Sequence, residues 1–266
     1  MHSYAHIYEV LEQVAPRSFA EDWDNTGLLL EPRTEEGVSH ILLTIDLTEA
    51  VMAEALRLKV DLIVAYHPPL FIPTARITQA DAKSRILLAA AQHGIPIYAP
   101  HTALDNVEGG VNDWLADGLG VGTRASILPS ATPDHPGIGR RVELKQAISL
   151  ATLQNRIKAH LGLKQLRVAR TAAHRRAGSK VKTIHLCAGA GGSVLAGSPS
   201  DVYFTGEMRH HDVLAANEAG VSVLLSEHTH TERGFLPVFR KRLQGAGAKG
   251  VKISISRADH DPLEIV

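Results

Sequence analysis

Apolar residues fall at helical spacing between Tyr4 and Val14 (Ile7, Val10, Leu11, Val14) and stop before Pro16, which predicts an amphipathic first helix. Beyond it, short apolar runs alternate with longer amphipathic ones. A turn-rich segment at 22–27 leads into the apolar Leu28–Leu30, strands are predicted at 40–44, 61–65 and 95–98, and helices at 49–58, 82–93 and 112–119 lie between and after them. Thr48 is placed to cap 49–58, and Gly94 to close 82–93. The rhythm resumes with strands at 141–144, 166–169, 183–187, 202–205 and 221–225, and helices at 150–161, 209–219 and 232–243. Asp61–Ala65 is a near-continuous apolar run, as expected of a strand covered on both faces. Strands alternating with helices predict an α/β fold with mostly parallel sheets.

The pattern also repeats on a larger scale. In the first half Asp61 opens an apolar strand that ends in Tyr66-His67, and a helix, Gly94 and a further strand then lead to His101-Thr-Ala-Leu-Asp105. In the second half Asp201 opens a strand followed by Glu207, His210 and His211, and a helix, Gly220 and a strand lead to His228-Thr-His-Thr-Glu232. Both endings read His-Thr-x-x-acid at the C-terminal end of a strand. Four residues apart, an imidazole and a carboxylate share one face of a helical turn. The expectation is two duplicated α/β repeats, 1–128 and 140–266, joined by a Pro-, Ser- and Gly-rich linker at 129–139. A ligand site is expected in the crevice where the strand ends meet.

His67, Asp105, His228 and Glu232 are therefore the expected metal ligands, with His101 a further ligand or a supporting residue. Nitrogen and carboxylate donors without thiolate suit Zn, Mn, Fe or Ni, as one divalent ion or two. Glu232, longer than Asp105, is the better bridge between two ions. Glu207 and His211 stand four apart at a helix start, suited to general acid–base work, with a helix-capping carboxylate as the rival reading. Gly189–Gly192 after a strand reads equally as a phosphate cradle or a close-packing turn. Asp22–Asn25 reads as a ligand-orienting loop or an Asx turn. No serine sits in a nucleophile-elbow context.

Composition narrows the function classes. Lys+Arg and Asp+Glu number 28 each, so the balance offers no electrostatic case for nucleic acid or an acidic membrane. The one basic cluster, Arg167 to Lys182, reads first as a solvated loop or strand edge. The single Cys187 has no intrachain partner and lies in an apolar run, which predicts a buried thiol in a reducing compartment. The first twenty residues predict neither a signal nor a transit peptide, and no run is long enough for a membrane span. A cytoplasmic location is expected, with nucleus or mitochondrion as alternatives. Fifteen histidines against five Phe and five Tyr are the excess to explain.

The stretches WDNTGLLL (23–30), DLIVAYHPPLF (61–71), PHTALDNVEGGVNDWLADGLG (100–120), CAGAGGS (187–193), DVYFTGEMRHHD (201–212) and SEHTHTERGFLP (226–237) resemble, in collinear order, the Ngg-interacting-factor-three-like dinuclear metal-centre family. That family is also known under the name GTP cyclohydrolase one type two, and YHPP and SEHTHTERG are closest to its eukaryotic branch. The resemblance implies that His67 and Asp105 hold metal from one half, and His228 and a bridging Glu232 from the other. Family members usually have two consecutive histidines where this chain has Tyr66-His67, so Tyr66 replaces one expected ligand. It further implies two intertwined α/β repeats and a toroidal homohexamer. The first expectation for function is a metal-dependent hydrolase acting on a small, nucleotide-like molecule, with His101, Glu207 or His211 as candidates for shuttling protons. The alternative is a non-catalytic, metal-stabilised scaffold that binds a protein partner such as a transcription regulator.

Overall fold

The computed structural model describes residues 1–32, 37–131 and 134–264, and these described residues form twenty-one helices and strands besides three short 3-10 turns. The order is α1 (Tyr4–Val14), β1 (Gly27–Leu30), β2 (His40–Thr44), α2 (Glu49–Leu58), β3 (Leu62–Ala65), α3 (Ala82–Gln92), β4 (Ile97–Ala99) and α4 (His101–Asn106). Next come α5 (Val111–Asp117), β5 (Gly122–Ala125), β6 (Arg140–Ile148), α6 (Leu150–Leu161), β7 (Arg167–Ala169), α7 (Ala172–Arg175) and β8 (Val181–Cys187). The chain ends with α8 (Gly192–Leu195), β9 (Val202–Thr205), α9 (His210–Glu218), β10 (Ser222–Leu225), α10 (Leu236–Ala246) and β11 (Lys252–Ile255).

Two compact units result, Met1–Leu104 with Leu236–Val266, and Asp105–Phe235. These bounds cut across the expected repeats of 1–128 and 140–266. The reason is pairing: β11, the last strand, lies parallel to β2 and returns the chain's end to the first sheet. The expected linker at 129–139, of which residues 132–133 lie outside the described residues, is the loop of a hairpin. β5 and β6 pair antiparallel on either side of it, and Leu128 bridges Ile138.

Within the first unit the sheet order is β1-β4-β3-β2-β11, and within the second it is β5-β6-β8-β9-β10-β7. Each contains the same four-strand core. In the first, β2, β3 and β4 run parallel with β1 antiparallel on β4; in the second, β8, β9 and β10 run parallel with β7 antiparallel on β10. The equivalence extends to single atoms. Asp61 Oδ2, just before β3, accepts the backbone N–H groups of Ser39 and His40 at 2.7 and 2.9 Å. Asp201 Oδ2, just before β9, accepts those of Lys182 and Thr183 at 2.7 and 2.8 Å. Ser3 caps α1 and Ser149 caps α6 in the same way, each hydroxyl accepting the N–H three residues on. The duplicated α/β repeat read from the sequence is thus built with matching strand order and matching polar anchors.

The core explains why these runs are strands. Every residue of β2, β3, β9 and β10 is buried. In the first unit Leu42, Ile63, Ala65 and Ile97 pack with Val51, Met52 and Ala55 of α2 and Ile86, Leu87 and Ala90 of α3. Thr48 caps α2 as expected, accepting from Val51 N at 3.3 Å, and Gly94 takes the left-handed φ of +66° just past α3. One boundary moves. The helix expected from Glu232 begins at Leu236, after two 3-10 turns, because Pro237 is accepted only in the first turn of a helix. Glu232 consequently stands in irregular backbone ahead of the helix.

Candidate metal centre

In the first unit β2, β3 and β4 end at one edge of the sheet, and the residues just beyond them include Asp46, His67 and His101. Open α/β sheets place their chemistry at this carboxyl edge. His67 Nδ1 lies 2.8 Å from Asp46 Oδ1, and His101 Nδ1 lies 2.7 Å from Asp24 Oδ1. An ionised carboxylate only accepts, so Nδ1 carries a proton in both rings, and the neutral form of each ring has its lone pair on Nε2. The Asp24 side chain is fully buried and also accepts from Thr102 N at 3.1 Å and Thr102 Oγ1 at 2.5 Å. Burial alone would raise its pKa; the bond and charge of His101, with the two bonds from Thr102, outweigh burial and hold it below the ordinary value. These contacts pin His101 at a φ of +33°, a conformation that costs a residue with a side chain about 1–3 kcal/mol. Tyr66 is buried, its ring edge-on to that of His101 at 5.6 Å, with the His67 ring 5.1 Å away.

In the second unit β8, β9 and β10 likewise end together, and Gly189, Glu207 and His228 follow them. His228 Nδ1 donates to Glu207 Oε1 at 2.8 Å, and its Nε2 faces Glu232 Oε1 at 3.3 Å. Glu232 is buried while His228 is partly open. Gly189 lies against both donors: a Cβ there would stand 3.0 Å from Glu232 Oε1 and 3.0 Å from His228 Nε2, and its φ is +58°. The loop around it is closed on itself. Gly189 N–H donates to Thr231 Oγ1 at 2.8 Å and Gly191 N–H to Thr205 Oγ1 at 3.0 Å, while Thr205 Oγ1 and Glu207 N both donate to Gly189 O at 3.0 Å. Of the two readings of Gly189–Gly192, the close-packing turn is the one built. The amides of Gly189 and Gly191 are both given to threonine hydroxyls.

The arrangement fits a divalent cation on two counts. Two donors about 2.0–2.2 Å from one ion at a tetrahedral angle stand about 3.3–3.6 Å apart, and His228 Nε2 and Glu232 Oε1 have that separation. Each histidine is held at Nδ1 by a carboxylate, the support that metal-binding imidazoles commonly have. The His228–Glu232 group could therefore bind a metal ion.

Known proteins agree with this frame. The description Duf34/NIF3 (NGG1p interacting factor 3) matches residues 2–262. The chain belongs to the DUF34/NIF3 family. "Protein NIF3 homolog" of Schizosaccharomyces pombe is 43% identical, over 97% of this chain and 96% of that protein. "NGG1-interacting factor 3" of Saccharomyces cerevisiae is 37% identical, over 94% and 92%. A crystal structure of a Bacillus cereus protein related to NIF3 superposes with a TM-score of 0.83 at 21% identity over 98% of each chain, a likeness of fold alone.

In this NIF3-family chain the residues named from sequence are distributed as follows. Asp105 lies in α4, where its carbonyl accepts from Asn112 Nδ2 at 3.1 Å; Asn112 Oδ1 in turn accepts from Ala188 N at 2.9 Å. Buried Asn112 thereby ties the end of α4 to the loop before Gly189. Glu207 does not cap α9, whose N-cap is Arg209 without a side-chain bond; it binds His228 instead. His211 is exposed in the first turn of α9, its ring 5.4 Å from that of His210. Cys187 is buried, as its apolar surroundings predict. Sequence reasoning passed over Asp46, Asn112, Thr205 and Thr231, and left Asp24 as one side of an open choice. Asp46 lies 21 residues from His67, Asn112 76 from Ala188, Thr205 14 from Gly191 and Thr231 42 from Gly189, so short-range spacing carried no signal for these contacts.

Proposed function

We propose that this chain holds a divalent cation through His67, Asp105, His228 and Glu232 and acts as a metal-dependent hydrolase on a small, nucleotide-type molecule. The observation that carries the reading is the treatment of the histidines: His67, His101 and His228 each give Nδ1–H to a carboxylate, which prepares Nε2 as a donor. Such an ion supplies Lewis acidity and lowers the pKa of a water at the site. The chain's own groups do the rest. Asp46 and Glu207 fix the tautomer and orientation of His67 and His228. Glu232, buried, brings a carboxylate where little water competes for it. His101, set by Asp24 and Thr102, holds a proton at Nδ1 and can accept one at Nε2.

A second reading has its own support. The yeast relative is named for interaction with NGG1, which favours a metal-stabilised scaffold for a protein partner. One experiment separates the two. Protein purified without chelator is expected to carry near-stoichiometric divalent metal, lost in Glu232→Ala and His228→Ala variants that keep the native circular dichroism. The metal-replete protein is then expected to hydrolyse members of a nucleotide panel, with the variants inactive. Metal without any turnover would leave the scaffold reading; absence of metal from native protein would sink both.

A further inference from the structure

Trp23 is 62% exposed and Phe71 43% exposed, on loops that carry residues of the first unit's strand-end cluster. Large aromatic side chains are seldom left so open on a soluble surface without a use. Their geometry is specific. The Trp23 and Phe71 rings lie 6.0 Å apart at 75°, Trp23 and His101 6.0 Å apart at 80°, and Phe71 and His101 6.2 Å apart at 85°. Three rings nearly perpendicular to one another form a corner, with the two outer ones open to solvent. The corner is anchored beside each ring. Asp24, next to Trp23, is bound to His101 and Thr102, and the Asn25 side-chain amide donates to the carbonyl of Leu70, next to Phe71.

We infer that Trp23 and Phe71 form a stacking platform for a planar heteroaromatic ring, which the corner presents to His101 and to His67, whose rings are 5.5 Å apart. A ring laid on the open face of one aromatic meets the edges of the other two, the offset and edge-to-face arrangements that aromatic pairs prefer. Contact through a π-face tolerates different substituents, so the platform selects the class of molecule and leaves the polar groups to choose its member. This assignment rests on the reading of the site as one that handles a small molecule.

Emission from Trp23, isolated as the difference between native protein and the Trp23→Phe variant, reports on the platform. Adenosine and guanosine are expected to quench it saturably, and ribose is not. By calorimetry, Trp23→Ala and Phe71→Ala should each weaken nucleoside binding about tenfold or more, while metal content stays native. Equal affinity in Trp23→Ala and native protein would overturn the platform. So would Trp23 emission that shifts with protein concentration and ignores nucleosides, which would make the patch a contact between copies. Metal missing from native protein would count against the preceding section alone.

Discussion

Glu207 decides between two accounts of the same distance. Its Oε1 lies 2.8 Å from His228 Nδ1, and its side chain is half exposed. As a proton shuttle it would matter to turnover and little to binding; as the group that orients His228 it would matter first to the metal. The structure favours orientation, because the contact is to the ring nitrogen turned away from Glu232. Glu207→Gln is expected to weaken metal affinity about 10- to 100-fold in a chelator competition, the usual cost of losing such a support. An unchanged affinity with a lost turnover rate would restore the shuttle. The His-Thr-x-x-acid motifs were legible because their members are four residues apart. Two of the carboxylates that orient the imidazoles were not, since Asp24 is 77 residues from His101 and Asp46 is 21 from His67. Gly189 was noticed for its type, but its use appears only when a side chain is imagined beside His228 and Glu232.

Among the elements, α2 and the segment after β11 are joined by one buried carboxylate. Glu54 accepts from Ser256 Oγ at 2.6 Å and, at the same oxygen, from the amides of Arg257 and Ala258 at 3.0 and 3.1 Å. Burial pushes its pKa up, but these bonds and Arg57 prevail and hold it below the ordinary 4.5. A carboxyl with a depressed folded pKa adds stability above its unfolded value, and that stability is lost as pH falls through the folded one. Glu54→Gln should therefore cost about 1–3 kcal/mol at neutral pH and leave the variant less sensitive to acid below pH 4.5, as read by urea unfolding. An equal loss at pH 7 and pH 3 would show that the charge is irrelevant. Nothing local in EAVMAEALRL marks Glu54 as buried, since its partners come from the far end of the chain. Periodicity and caps placed α2, β2 and β3 almost to the residue, because burial on both faces leaves a strong local pattern. They missed the start of α10, where the chain is held by tertiary contacts ahead of the proline.

Across the whole molecule, the histidine excess divides into a few rings at the strand ends and a larger group that serves as polar struts. His2 and His6 bind the carbonyls of Lys249 and Gly247, His40 binds Ser254, His174 binds Ser222 and His185 binds Ser198. His40 in one unit and His185 in the other are buried inside sheets. Burial lowers the pKa of both; Lys252 adds to this at His40, against opposing contributions from Leu58 O and Asp61, and Arg141 adds to it at His185. A base with a depressed folded pKa leaves the unfolded chain to take up protons first, so stability falls as pH drops from about 6.5 toward the folded values. Within that window each ring accounts for at most about 1.4 kcal/mol per pH unit. The unfolding midpoint of metal-free protein, kept in chelator so that loss of an ion plays no part, should decline between pH 7.5 and 5.5. Replacing both rings, His40→Gln with His185→Gln, should lower the midpoint at pH 7.5 but flatten its decline. A slope that the double variant leaves unchanged would move the acid sensitivity elsewhere, with His160 the next candidate, since burial lowers its pKa against opposing contributions from Trp114 and Asp117. Because the chelator keeps any ion from the strand-end rings in both proteins, a difference in slope between native and double variant reports on the histidines that hold the sheets.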